Sequence, residues 1–359
     1  MSLTSSELKV LKEVVSLPTA PFCESAVQDY VWRWAGENGI AIKRDGHGNM
    51  LLTYPGKGRQ SGKPWVLQAH MDHPGFAFIK RRGRQAQAWF RGGVLPEFFP
   101  EARMRFFPVD GEPVGGTVRT ARRDKESGFL RCAVELDAPA ALAEGTLGMW
   151  DLPAWSRKGA RLGLRVADDL AGVAVILLTL DRLKRQGAAR SCHGLLTRAE
   201  EVGFIGAISA AQNKTIDPSW PVLGIECSKE QPSAKLGNGA VVRVGDRSTI
   251  FDPALTAHLR ETARELAPLA FSESLMPGGS TESTGLALMG HRTCAVCLPL
   301  GNYHNMGPKA IAPEQIHLGD VESLLALLAH VVQRAPDDAP VRALKKRVLA
   351  RHANLKELL

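Results

Sequence analysis

In the first part of the chain, segments with helical spacing of apolar residues are followed by segments with extended spacing. Two stretches have helical spacing: SSELKVLKEVVSL from residue 5, with a serine as its amino-terminal cap, and SAVQDYVWRWAGENG from residue 25. Two short strands around a Gly-rich turn follow in IAIKRDGHGNMLLTY, and PWVLQAHMDHPG predicts a buried strand that ends in polar residues. Residues 1–75 are therefore expected to form the first part of an α/β domain.

The pattern changes over residues 76–160, where helical spacing is scarce. Gly and Pro separate short apolar runs such as FAFIK, MRFFPV and FLRCAVEL. Short strands with frequent turn residues are typical of small sandwiches and barrels. We expect a small β-rich, barrel-like domain inserted into the α/β domain.

Helix and strand periods alternate again over residues 161–335. A strand ending in LRVADD precedes the long apolar helix LAGVAVILLTLDRLKRQG, and the strands HGLLTR, PVLGIEC and TCAVCLPL follow. Such alternation predicts a mixed, mostly parallel sheet sandwiched by helices. Residues 336–359 read as a C-terminal helical extension with a basic, amphipathic pattern.

Composition and charge narrow the class of protein. The net charge of +8 is spread along 359 residues, without the exposed aromatics that nucleic-acid proteins place among basic residues, so no nucleic-acid partner is expected. The N-terminus lacks the pattern of a signal peptide, and the longest apolar run, Leu170–Leu178, is too short to span a bilayer. Cys294 and Cys297 form a CxxC within a predicted strand and are expected to be buried thiols. These observations predict a cytoplasmic protein without a membrane partner.

Five predicted strands end in residues that bind metals. Ligands gather at the carboxyl ends of strands in open α/β sheets, so these side chains are expected to meet. Imidazole nitrogen and carboxylate oxygen suit zinc and its neighbours, and a carboxylate can bridge two ions. The residues are His70 with Asp72, Asp168 with Asp169, Glu200 with Glu201, Glu226, and His304.

Paired residues at these strand ends suggest a division of roles. On an extended segment the side chains of Glu200 and Glu201 point in opposite directions, so one can bind a metal while the other moves a proton. Asp72 lies on the same side of its strand as His70 and can accept the second ring N–H. Taken singly, each motif also fits a solvated doublet or a helix cap.

The order of motifs resembles the tetrahedral-aminopeptidase and glutamyl-aminopeptidase family of dinuclear metallopeptidases. The resemblance covers most of the chain, to about Ala335. It rests on AHMDHPGF, VADDLAGV, TRAEEVGFIGA, GIECSKE, GGSTESTGLAL and LPLGNYHNMG.

This resemblance implies a role for each residue and two divalent metal ions per subunit. Zinc is the expected metal, with cobalt and manganese as alternatives, and the inserted domain is expected to serve association into dimers or dodecamers. The implied roles are metal ligands at His70, His304, Glu201 and Glu226, a bridging ligand at Asp168 with a cis bond to Asp169, and a general base at Glu200.

The sequence departs from the family pattern in three places. Glu226 stands where the family usually has aspartate. GGSTESTG replaces Gly-Thr-Asp-Ala, which leaves substrate contacts near Thr281 and Glu282 unassigned. The C-terminal helix has no counterpart in the pattern.

The resulting hypothesis is a dinuclear metal aminopeptidase that acts on peptides. One alternative is a related deacylase or carboxypeptidase that acts on N-blocked substrates. The other is a non-catalytic scaffold with the same fold.

Overall fold

A computed structural model gives the structure of the protein and describes residues 2–58, 62–335 and 339–356. The α-helices of these residues, in chain order, are α1 (Ser5–Val15), α2 (Ser25–Glu37), α3 (Leu170–Gln186), α4 (Ile205–Gln212), α5 (Pro253–Glu265), α6 (Glu282–Leu288), α7 (Leu318–Val331) and α8 (Ala339–Leu355). The strands are β1 (Ala41–Arg44), β2 (Met50–Tyr54), β3 (Trp65–His70), β4 (Gly75–Arg82), β5 (Gln85–Arg91), β6 (Arg103–Phe107), β7 (Val114–Arg123), β8 (Leu130–Leu136), β9 (Leu147–Trp150), β10 (Trp155–Lys158), β11 (Arg161–Leu164), β12 (Cys192–Thr197), β13 (Val222–Lys229), β14 (Ala240–Asp246), β15 (Phe271–Met276), β16 (Thr293–Leu300) and β17 (Glu314–His317).

An eight-stranded sheet forms the centre of the α/β part, in the order β1-β2-β12-β3-β13-β16-β14-β15. The central pairs β12–β3, β3–β13 and β13–β16 are parallel, and so is the pair β14–β15 at one edge. The pairs β1–β2, β2–β12 and β16–β14 are antiparallel. The main core packs α1, α2, α3, α5 and α7 on one face, and α4 and α6 pack on the other. The predicted mixed, mostly parallel sheet between helices is confirmed.

Six strands form a closed barrel in the order β4-β5-β8-β7-β6-β9. Phe76, Phe90, Phe99 and Trp150 pack inside it, with ring centroids 4.8–5.5 Å apart. Edge-to-face packing of aromatic rings fills the interior of a small barrel with apolar surface. The inserted barrel is thus confirmed, and the domain boundaries at residues 75/76, 160/161 and 335/336 stay a prediction.

A separate three-stranded antiparallel sheet joins β10, β11 and β17. The segment before Asp168 was expected to be a strand of the main sheet, and this expectation was wrong. β11 ends at Leu164 and pairs with β10 and β17 instead. Asp168 therefore reaches the site from a loop.

The first helix has a side-chain cap at its amino terminus, and the last helix exposes apolar residues. Thr4, rather than the predicted serine, caps α1, because it accepts from the backbone N–H of Glu7 while the Glu7 carboxylate accepts from Thr4. Leu344, Val348 and Leu349 of α8 are at least half exposed, and residues 336–338 and 357–359 of the predicted extension lie outside the described residues.

In the parts of the chain that the structure describes, no helix has both the length and the apolar content to cross a bilayer.

Candidate active site

His70 is the last residue of β3, and its ring has one fixed tautomer. The Nδ1 atom lies 3.1 Å from the backbone carbonyl of Asp72, which can only accept, so Nδ1 carries a hydrogen. The Nε2 atom then faces two carboxylates, 3.4 Å from Asp168 Oδ1 and 3.8 Å from Glu226 Oε2. This is the arrangement in which a histidine presents a lone pair to a metal.

Asp168 lies between β11 and α3, and its two carboxylate oxygens face different histidines. Oδ1 points to His70, and Oδ2 lies 3.7 Å from His304 Nε2. The peptide bond from Asp168 to Asp169 is cis, and the His73 ring donates to the Asp168 carbonyl at 2.6 Å. Asp168 thus lies between two candidate ligand groups.

Glu200 and Glu201 lie in a short 3₁₀ turn after β12, not on an extended segment as expected. Ala199 has φ +51°, which ends the strand geometry before the pair. The Asp72 carboxylate accepts from the backbone N–H of Glu200 at 2.9 Å and of Glu201 at 3.1 Å. Asp72 also lies 3.5 Å from His70 Nδ1, so its carboxylate fixes the turn as well as facing the histidine.

Glu226 lies within β13, three residues before its end, rather than at the strand terminus. It pairs in register with Cys297 of β16, and Cys297 is a buried free thiol, as is Cys294. Glu226 is 7% exposed, and its side chain reaches the cluster from within a central strand of the sheet.

His304 lies in a 3₁₀ turn after β16, and the inserted barrel helps to hold it. Its Nδ1 donates to the carbonyl of Gly93, in the loop after β5, at 2.7 Å. Its Nε2 lies 3.1 Å from Glu201 Oε1, and the Tyr303 ring stacks on it with centroids 3.7 Å apart. Both histidines therefore turn Nε2 toward the carboxylates.

The cluster favours positive charge at the two Nε2 positions. Burial alone would lower the pKa of His70, but hydrogen bonds to Asp168 and Asp72 raise it well above its usual value. Burial opposes the rise at His304 as well, yet Glu201 raises the pKa of that ring to about 9. Either a proton or a metal ion can supply this charge, and a metal displaces the proton.

The pKa of the Glu200 carboxyl differs from that of a solvated carboxyl. Burial raises its pKa well above the ordinary value, and nearby His70 offsets only part of that rise. A carboxyl with a raised pKa can hold and release a proton near neutral pH.

The donor set fits divalent metal ions. Three groups have ligand atoms within 4.8 Å of one another: His70 with Asp168 and Glu226, Asp168 with Glu201 and His304, and His70 with Glu200 and Glu201. Asp168 Oδ1 and Glu201 Oε1 are buried, and each faces the Nε2 atom of a histidine, at 3.4 Å and 3.1 Å, with no other donor among the described residues. A bound cation would satisfy both atoms.

Two buried glutamates near the cluster were not singled out as functional from the sequence. Glu314 of β17 accepts from the backbone N–H groups of Ala167 at 2.7 Å and Asp168 at 3.1 Å, and from that of His304 at 2.9 Å. Glu282 accepts from the hydroxyl of Thr197 at 2.5 Å and from the amide of Gln68, and burial raises its pKa to about 8. Neither glutamate follows a predicted main-sheet strand, so the rule based on strand ends did not find them.

Comparisons with known proteins agree with this architecture. A model of the M42 glutamyl aminopeptidase family matches residues 138–327. A curated protein of Acetivibrio thermocellus with a provisional aminopeptidase name is 24% identical over 307 residues, which is 81% of this chain and 88% of that protein. The cytosol non-specific dipeptidase of Escherichia coli is 36% identical over 64 residues, and that match spans 18% of this chain and 13% of the dipeptidase.

Two solved structures share the fold across nearly their whole length. The aminopeptidase APDkam598 of Desulfurococcus kamchatkensis has a TM-score of 0.76 and 19% identity, over 93% of this chain and 96% of its own. The TET1 peptidase of Pyrococcus horikoshii, which can assemble into a tetrahedron or a large octahedral shell, has a TM-score of 0.74 and 18% identity, over 91% and 99% of the two chains.

The fold, the site and these matches define a peptidase of the aminopeptidase class. The family match covers more than half of the 359 residues, and the chain belongs to the M42 glutamyl aminopeptidase family. Peptidases of this family depend on metal ions, and this chain has candidate groups to hold them.

Proposed function

We propose that the protein removes N-terminal residues from peptides with two divalent metal ions and a glutamate general base. The observation that carries the proposal is the position of Asp168. One of its oxygens faces His70 and the other faces His304. This supports a bridging role, with Glu226 completing one ligand group and Glu201 the other.

The residues of the candidate site divide the proposed chemistry among them. Bound divalent cations supply Lewis acidity, which acidifies water and polarises the carbonyl of the scissile peptide bond. Glu200 accepts a proton from the attacking water and donates it to the departing amine nitrogen. Asp72 holds the backbone of Glu200 in place, and zinc, cobalt and manganese all suit this oxygen and nitrogen ligand set.

Replacing Glu200 by glutamine tests the general base. We expect Glu200→Gln to lower kcat by about 10²- to 10⁴-fold, because glutamine cannot accept the proton, while both metal ions stay bound. Steady-state hydrolysis of aminoacyl anilides and elemental analysis of the purified protein measure the two effects. Glu126→Gln, an exposed change on the barrel, is the matched control and is expected to behave as wild type. Near-normal turnover in Glu200→Gln would assign the base elsewhere.

Comparison of free and N-acetylated peptides separates the aminopeptidase from the deacylase or carboxypeptidase alternative. Glu226, one methylene longer than the aspartate usual in the family, is the sequence feature that favours the alternative. We expect hydrolysis to require the free amine. Preferential cleavage of the blocked peptides would favour the alternative function.

We further propose that the chain assembles with copies of itself through the inserted barrel. The support is the shared fold with the TET1 peptidase, which forms closed shells. Light scattering after size exclusion measures the assembled mass, and a monomer at micromolar concentration would contradict this proposal.

A further inference from the structure

The turn that carries Glu200 and Glu201 is not fixed by its own backbone alone. It is a 3₁₀ turn of three residues, which the chain enters through Ala199 at φ +51° and leaves through Gly203 at φ +115°. A positive φ is unfavourable for alanine, and the first N–H groups of a helical turn have no carbonyl partner within it. The position of the two glutamates therefore depends on acceptors from elsewhere in the chain.

Two buried carboxylates accept from three successive N–H groups of this turn. Asp72 accepts from the N–H groups of Glu200 and Glu201. Glu24, which is fully buried, accepts from the N–H of Ala199 at 3.1 Å. Glu24 thus fixes the backbone at the point where it departs from strand geometry, one residue before Glu200.

Arg198 supplies the positive charge that a buried Glu24 carboxylate needs. Its Nε and Nη2 atoms lie 2.8 Å and 2.7 Å from Glu24 Oε2, and its Nη1 atom donates to the carbonyl of His47 at 3.0 Å. Burial and the charge of Asp72 raise the pKa of Glu24, while Arg198 opposes that rise. Arg198 therefore favours the ionised form of Glu24, in which both oxygens are acceptors.

The segment that carries Glu24 is itself held in place before α2 begins. The hydroxyl of Thr19 donates to the carbonyl of Met71, the residue after β3, at 2.6 Å. Arg91 of the barrel donates to the carbonyl of Pro21 at 3.0 Å. Glu24 therefore has a defined position relative to both β3 and the barrel.

We propose that Glu24 is a positioning residue for the general base. Through the backbone of Ala199 it sets where the Glu200 carboxylate lies relative to the attacking water. The cavity of about 340 Å³ beside the cluster is lined by Glu200 and Glu201 but not by Glu24, so Glu24 acts through the turn. The proposal rests on the proposed peptidase function, in which Glu200 transfers the proton.

Replacing Glu24 tests this role by the split between kcat and KM. Glu24→Gln places an N–H group opposite Arg198, and Glu24→Ala removes both acceptor oxygens. We expect each variant to lower kcat by about 10- to 100-fold, because a displaced base transfers the proton poorly, and to change KM by less than about threefold. Steady-state hydrolysis of aminoacyl anilides measures both constants.

Glu7→Gln is the matched control for loss of a buried glutamate paired with an arginine. Glu7 is 3% exposed, lies 2.6 Å from Arg182 Nε and accepts from the backbone N–H of Thr4 at 2.9 Å. Its helix, α1, contributes no residue to the cluster. We expect Glu7→Gln to lower the melting temperature as Glu24→Gln does and to keep the wild-type kcat and KM.

Backbone hydrogen exchange observes the turn without catalysis. In the wild-type protein we expect the N–H groups of residues 199–201 to be protected. In Glu24→Gln we expect them to exchange about 10- to 100-fold faster, because the turn opens more often once the acceptor for Ala199 is weakened. Glu7→Gln is expected to keep the wild-type exchange rates at this turn.

Several results would overturn the assignment. These are a wild-type kcat in both Glu24 variants, an equal loss of kcat in Glu7→Gln, a rise in KM without a fall in kcat, or unchanged exchange at residues 199–201 in Glu24→Gln. If the wild-type protein hydrolyses no peptide, the proposed function fails separately. The exchange measurement then still tests whether Glu24 holds the turn, and unchanged rates would contradict it.

Discussion

Glu314 shows how a single buried side chain can position two others. It accepts from the backbone of Asp168 and of His304, which belong to loops far apart in the sequence. Burial raises its pKa, and its hydrogen bonds to the backbone N–H groups of Ala167 and Asp168 favour the ionised form. Glu314 is therefore a positioning residue, because it contacts the ligand loops and not the reacting atoms.

We expect Glu314→Gln to weaken metal binding and activity by about 10- to 100-fold, as other losses of support around metal ligands do. The amide places an N–H group where a carboxylate oxygen accepts, which leaves backbone donors unpaired. Metal affinity measured by competition with a chelator checks the effect, with Glu126→Gln as the control. If affinity stays at the wild-type value and only the melting temperature falls, the role is structural alone.

At the scale of single residues, the expectation that ligands lie at strand ends identified residues that lie close together in the structure. It was wrong about the backbone that carries several of them. His70 ends a strand of the main sheet as predicted, but Glu226 lies inside one and Asp168 follows a loop. The turn at Glu200 depends on a positive φ at Ala199, which nothing in an alanine signals. Long-range partners such as Glu314 depend on tertiary contacts that the sequence pattern does not reveal.

At the scale of elements, the packing of β12 against its neighbours makes stability depend on pH. His193 pairs with Thr53 across β2, its Nδ1 lies 3.0 Å from the Thr53 hydroxyl, and its ring stacks on Trp220 at 4.2 Å. Burial, and then the charge of Lys43, lower the pKa of His193 to about 4. The folded state therefore holds this ring neutral.

A histidine whose pKa is lowered on folding contributes stability at pH values above its unfolded pKa of about 6.5. That contribution is lost as the pH falls toward 4. The loss from this group is about 3 kcal/mol. We expect His193→Gln to show a shallower decline in the free energy of unfolding between about pH 6.5 and 4, measured by urea titration. His352→Gln, on the exposed face of α8, should keep the wild-type slope. An identical slope in His193→Gln would contradict the assignment.

The central strands β3, β12, β13 and β16 were readable from the sequence because each is short, apolar and bounded by turn residues. The pairing of β11 was not readable, because its partners β10 and β17 are separated by more than 150 residues. Periodicity predicts that a segment is extended, but it does not indicate which sheet the segment joins.

At the scale of the whole molecule, the proposed metals should contribute to stability as well as to chemistry. Asp168, Glu200, Glu201 and Glu226 crowd one buried site, and bound cations offset their mutual repulsion. Free metal at about 1,000-fold above its Kd stabilises the folded state by about 4 kcal/mol. We expect a chelator to lower the melting temperature by several degrees and abolish hydrolysis, with recovery of both on adding zinc, cobalt or manganese. A melting curve unaffected by chelation would contradict a metal bound at this cluster.

The site draws on residues from His70 in β3 to Glu314 in β17, so nearly the full length of the chain must be synthesised before it can assemble. A nascent chain on the ribosome holds an incomplete centre until β17 has emerged and paired with β11. Hydrolysis is therefore expected only from a chain that has been synthesised at least as far as β17.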